Sequence, residues 1–122
     1  MQLNQVIPTI LDGAIFNRFR SKSRHRVYTR YPCCAVSTLL LVDKGVELEG
    51  LTLELSRGGA LFREACTFIL ERNGAPVTLR LPDLALVGSV VNTRSEGYGV
   101  RFDKVMDEDM LQRLLERYTP MT

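Results

Sequence analysis

From residue 34 onward, apolar and polar positions alternate in short runs broken by turn-forming residues. Residues 34–42 (CAVSTLLLV) make the first strand candidate, and Asp43-Lys44-Gly45 after it is a hairpin signal. In residues 46–55, Val46 and Leu48 alternate, then Leu51, Leu53 and Leu55 alternate in the opposite phase. Gly50 sits at the phase change, where a bulge is expected. After a Ser56–Gly59 turn come strand candidates at Ala60–Arg63, Thr67–Leu70 and, past Asn73-Gly74, Val77–Leu81. Pro82-Asp83 breaks the chain before a long strand at 84–93, a Ser95-Glu96-Gly97 turn and Tyr98–Phe102. Turns at roughly eight- to twelve-residue spacing predict a mainly β domain, a small antiparallel barrel.

The two ends read differently. At the C-terminus, Met110, Leu111, Leu114, Leu115 and Tyr118 share one helical face, which predicts a helix over 107–118 packed on the barrel. Asp107 is its expected N-cap, Glu108 and Asp109 suit the positive end of the dipole, and Met106 with Leu111 forms a staple. At the N-terminus, Ile7, Ile10, Leu11, Ala14, Ile15 and Phe19 fall at helical spacing, so residues 1–22 read as a separate helical segment. Its apolar face needs cover, from the domain itself or from a second copy in a homodimer. The basic, aperiodic stretch 23–31 reads as a flexible arm joining this segment to the domain at 23–122.

At 122 residues, with 45% hydrophobic and 25% charged side chains, the chain suits one soluble domain with its own core. No apolar run approaches the ~20 residues that span a bilayer, and no secretory leader is evident. Three cysteines, Cys33, Cys34 and Cys66, are an odd number with one adjacent pair, a poor disulfide framework. In a strand, Cys33 and Cys34 point to opposite faces, so one of them is a core residue. The expected compartment is reducing and cytoplasmic. The net charge of +2 is too mild for bulk nucleic-acid binding, but its distribution is uneven. Arg18, Arg20, Lys22, Arg24, Arg26 and Arg30 follow one another without an acidic residue among them, an anion-attracting segment.

Enzymatic chemistry has little to stand on. A single histidine lies in the basic arm, no triad can be assembled, and no metal-ligand set or cofactor motif is present. Binding is better supplied. Guanidinium groups pair bidentately with phosphate and with the O6/N7 edge of guanine. Arg26 and Arg30, four residues apart, present two such forks to one ligand. Ser56 offers a hydroxyl at a strand end, a carboxylate at Glu54 accepts from base N–H groups, and Gly58-Gly59 allows close backbone approach. A single-stranded nucleic-acid platform would need exposed aromatics, whereas Phe62, Phe68, Tyr98 and Phe102 fall in core patterns and tryptophan is absent.

These two stretches, Arg24-His25-Arg26-Val27-Tyr28-Thr29-Arg30 and, about two dozen residues on, Glu54-Leu55-Ser56-Arg57-Gly58-Gly59, together resemble the ligand-binding motifs of the PilZ family. Those motifs are Arg-x-x-x-Arg and Asp/Asn-x-Ser-x-x-Gly. Val87-Gly88-Ser89-Val90-Val91-Asn92 followed by Gly97-Tyr98-Gly99-Val100-Arg101-Phe102 is similar to the family's last two strands, so the resemblance spans residues 24–118. It implies a six-stranded antiparallel barrel with a C-terminal helix, serving as a receptor for cyclic di-GMP rather than as an enzyme. It further implies that Arg26 and Arg30 grip the nucleotide, with Arg24 as an extra contact, while Glu54, Ser56, Gly58 and Gly59 line the far wall. Ordering of the arm would then signal to an effector protein. The departure is Glu54, one methylene longer than the family's Asp or Asn. The alternative function is a PilZ-like interaction module that has lost the nucleotide. For Glu54 alone, the alternative is that it merely pairs with a neighbouring arginine on the barrel surface, which would leave the two arginines and Ser56 in the site.

Overall fold

In a computed structural model, which describes residues 28–66 and 69–119, six antiparallel strands form a closed barrel followed by one helix. The strands are β1 (Tyr31–Leu41), β2 (Val46–Leu55), β3 (Gly59–Glu64), β4 (Pro76–Leu81), β5 (Leu84–Arg94) and β6 (Gly97–Phe102). The helix, α1, spans Glu108–Tyr118. Around the barrel the order is β1-β2-β3-β6-β5-β4, closed by pairing of β1 with β4. Closure leaves no strand with a wholly free edge, which limits the usual route to edge-to-edge association.

Period-two burial explains why these segments are strands. Along β1 the residues Cys33, Ala35, Ser37, Leu39 and Leu41 face inward and are buried, while Cys34 and Val36 face out. Leu55, Phe62, Val77, Leu79, Val90 and Tyr98 complete the interior from the other strands. Tyr98 is wholly buried, and its hydroxyl donates to the Leu70 carbonyl at 2.8 Å and accepts from Arg72 Nε at 3.2 Å. The aromatics Phe62, Tyr98 and Phe102 therefore belong to the core; Phe68 lies outside the described residues.

Three local expectations change. Half of the strand expected at Thr67–Leu70 lies outside the described residues, and its described half, Ile69 and Leu70, is irregular. Ile69 nonetheless packs against the core, which accounts for its apolar character without a ladder. Gly50 is not a bulge; it pairs in register with Ser37 and Glu64, and a Cβ there would meet the Arg63 carbonyl oxygen. The register shift in β2 falls between Thr52 and Glu54. Thr52 is the inward residue of this stretch, wholly buried with its hydroxyl bonded to Ser37 Oγ at 2.8 Å, so a polar residue carries the inward phase. Finally, β1 begins at Tyr31 rather than Cys34, because Tyr31 and Pro32 pair with Leu55 and Glu54 ahead of an irregularity at Cys33-Cys34. The segment 1–22 lies outside the described residues.

The helix follows its sequence signals. The Asp107 carboxylate accepts from the Met110 N–H at 2.8 Å, and Leu111, Leu114 and Leu115 are buried in the common core with Met106. Burying three leucines at roughly 1.5–3 kcal/mol each outweighs the exposed Arg117–Asp83 pair, worth about 1 kcal/mol at most. Apolar packing, not charge, therefore fixes α1. None of the helices among the described residues is long and apolar enough to cross a membrane.

Candidate functional site

Among the described residues a cleft of about 640 Å³ lies where the turn between β2 and β3 faces the outer surface of β5 and β6. The turn is built by Ser56. Its Oγ accepts from the N–H groups of Gly58 at 3.1 Å and Gly59 at 3.0 Å, while its own N–H donates to the Gly59 carbonyl. A serine at a turn start does this locally because its oxygen reaches N–H groups two and three residues on. The Gly58 carbonyl accepts from Phe102 N–H, so the turn is also pinned to β6. Ser56 lines the cleft, but both acceptor sites of its hydroxyl are engaged in holding the turn.

Gly58 is required by a close approach. A Cβ at this position would stand 2.8 Å from Cδ2 of Tyr28. The Tyr28 ring lies against the glycine, and the Arg57 guanidinium sits 5.4 Å from the ring centroid. Arg57 in turn donates from Nε to the Met106 carbonyl at 2.8 Å and accepts the Met106 N–H at its own carbonyl. Tyr28 is thus clamped on the turn, and the turn is clamped to the segment that enters α1.

Arg30 lines the cleft and gives one guanidinium nitrogen to Glu54 Oε1 at 2.6 Å. Both side chains are about one-third exposed. Glu54 is placed there by β2, opposite Pro32, and it is not among the residues that line the cleft. The structure thus brings together Arg30, Ser56, Gly58 and Gly59, sets Glu54 behind Arg30, and leaves Arg24 and Arg26 outside the described residues. Below Glu54, burial pushes the Cys33 thiol up to about 11, with the neighbouring Cys34 and Glu54 adding to the effect. It remains a thiol at neutral pH and packs as a small apolar residue.

The lining also takes in residues outside the two ligand-binding motifs, among them Tyr28, Val91, Asn92, Arg94 and Arg101. Tyr28 carried one signal, its position between the paired arginines of the arm. The others are outward positions of β5 and β6, and only the pairing of β3 with β6 brings them to the turn. Among the described residues three arginines line the cleft and no Asp or Glu does, so its field favours anions although the whole chain carries only +2. No group of three or more potential metal ligands is assembled among the described residues.

This arrangement, a basic cleft beside a Ser-x-Gly-Gly turn on a six-stranded barrel, agrees with the comparison against known families. The PilZ domain model matches residues 22–119. The chain belongs to the PilZ family. PilZ domains form a family of cyclic di-GMP-binding domains, and the match takes in Arg24, Arg26 and Arg30 as well as the turn. None of the curated proteins matches the chain.

Proposed function

We propose that this PilZ domain is a cyclic di-GMP receptor that works without catalysis. Arg26 and Arg30 grip the nucleotide, Arg24 adds a contact, and the turn at Ser56, Gly58 and Gly59 forms the facing wall. The observation that carries this reading is the convergence of Arg30 and the 56–59 turn on one cleft lined by three arginines and by no carboxylate among the described residues. A ligand with two phosphodiesters and two guanine edges matches that chemistry, since guanidinium serves both.

Glu54 takes part indirectly in this reading. It occupies one guanidinium nitrogen of Arg30 and leaves the remaining donors for the ligand. Binding would order the arm over the cleft, and the contacts from Tyr28 through Arg57 to Met106 give that event a route to the base of α1 and so to a protein partner. The site of action would be the cytoplasm, where such a second messenger circulates.

Calorimetric titration with cyclic di-GMP tests the reading and reports affinity and stoichiometry together. Cyclic di-AMP and GMP serve as controls. Saturable binding of cyclic di-GMP with little heat from either control is expected. Absence of binding would overturn the receptor assignment and leave an interaction module on the same fold.

A further inference from the structure

The motif residues account for only one side of the cleft. The other side is the outer surface of β5 and β6, and its construction is specific. The register shifts between Val90 and Asn92, so Val91 and Asn92 are both exposed although they are consecutive residues. Such a bulge re-aims a side chain that would otherwise follow the pleat. Asn92 pairs with Gly99 and its side chain lies across it: a Cβ at Gly99 would meet Asn92 Oδ1. A flat, bare floor results, crossed by one amide.

An arginine stands at each end of that floor. Arg101 pairs with Gly59 and so borders the turn, and Arg94 pairs with Gly97 at the other end. Gly97 and Arg101 are four residue steps apart along β6, about 13 Å at the usual rise. Arg94 is notable for what it lacks. Its Nε is shielded from solvent without a hydrogen-bond partner and stands 4.0 Å from Glu96 Oε1, beyond hydrogen-bonding reach. Arg101 makes no ion pair among the described residues and is exposed in the cleft. Arg94 has only the long contact to Glu96 and Arg101 has no ion pair among the described residues, so both keep donors free beside the volume that Arg30 also lines.

We infer that Arg94 and Arg101 form a second, non-motif half of the nucleotide site, each pairing with a phosphodiester oxygen of the bound ligand across the Asn92–Gly99 floor. The inference rests on the receptor reading above and extends it to residues outside both motifs. Ligand binding would draw the Arg94 guanidinium toward the cleft and give its unpaired donor an acceptor. Because the contact is to phosphate, it carries charge but little base identity.

The test is titration of wild type, Arg94→Ala, Arg101→Ala, Arg94→Lys and Arg30→Ala with cyclic di-GMP at low and high salt. Each of the two wall alanine variants is expected to bind roughly tenfold to hundredfold more weakly, as loss of a charge-assisted hydrogen bond requires. Each is also expected to lose about one unit of the salt slope, and Arg94→Lys to recover part of the affinity. Should Arg94→Ala unfold, Arg94→Gln keeps the length without the charge and carries the same expectation. If wild type and both wall variants bind equally while Arg30→Ala binds more weakly, the ligand touches only the motif wall; this inference falls and the receptor reading stands. A loss of affinity with an unchanged salt slope would overturn the phosphate assignment. No binding by wild type would overturn both readings.

Discussion

Arg30 and Glu54 lie on one ion pair, yet the geometry gives them unequal weight. Arg30 lines the cleft and Glu54 does not, and the pair itself is partly exposed, worth about 0–1 kcal/mol. Arg30→Ala is therefore expected to weaken cyclic di-GMP binding by roughly tenfold to hundredfold, the size of one lost charge-assisted contact. Glu54→Ala should change affinity by less than about fivefold and melting by little. Calorimetry on the two variants decides the matter: equal losses would put the Glu54 carboxylate on the ligand itself. The cysteines give a second test at this scale. Cys34 and Cys66 are exposed, whereas Cys33 is 5% exposed with its thiol raised to about 11. A thiol-specific reagent at neutral pH should modify Cys34 and Cys66 quickly and Cys33 only on unfolding, since the thiolate is the reactive form. Rapid reaction of all three would mean that the β1 irregularity opens in the native state.

At the scale of elements, the short connection between β2 and β3 does more than reverse the chain. It holds Tyr28, is pinned to β6 by the Gly58 carbonyl, and exchanges two hydrogen bonds with Met106 through Arg57. Gly58→Ala should displace the Tyr28 ring, because the new methyl would stand 2.8 Å from Cδ2 in the unshifted structure. Tyr28 is half-buried and stands outside the barrel core, so a melting-point change of only a few degrees is expected. Nucleotide affinity should nevertheless fall, since the arm loses its anchor; unchanged affinity in calorimetry would detach Tyr28 from the site. The helix start and most strands were legible in the sequence because their signals are local: the Asp107 cap, the alternation of β1, the turn residues at 43–45 and 95–97. The phase of β2 was misread because Thr52 takes an inward position that the apolar pattern assigns to a leucine. At Ile69 and Leu70 no strand forms, because Ile69 packs against the core from an irregular segment and so gives an apolar position without a ladder. The motif wall of the cleft was readable as residue types in order. The β5–β6 wall was not, since it depends on which strands become neighbours.

For the whole molecule, the pairings that close the barrel, β3 with β6 and β1 with β4, join strands distant in sequence. They carry the consequences of binding beyond the cleft. The cleft is walled by the β2–β3 turn on one side and by β5–β6 on the other, so a bound ligand bridges segments that separate when the barrel opens. Because the closed ladder has no peripheral strand to fray alone, unfolding should be a single cooperative transition. A ligand that binds only the folded form then raises stability by RT ln(1 + [L]/Kd), about 2.7 kcal/mol at a hundredfold excess over Kd. For a domain of this size each kcal/mol moves the melting temperature by roughly 4–8 °C. Saturating cyclic di-GMP should therefore raise the melting temperature by roughly 10–20 °C, with a further rise for each tenfold increase in nucleotide. Cyclic di-AMP at the same concentrations should leave it nearly unchanged, and Arg30→Ala should need far more nucleotide for the same shift. A melting temperature indifferent to nucleotide concentration in the wild type, measured where calorimetry shows saturation, would mean that the ligand engages the arm alone and never spans the two walls of the barrel.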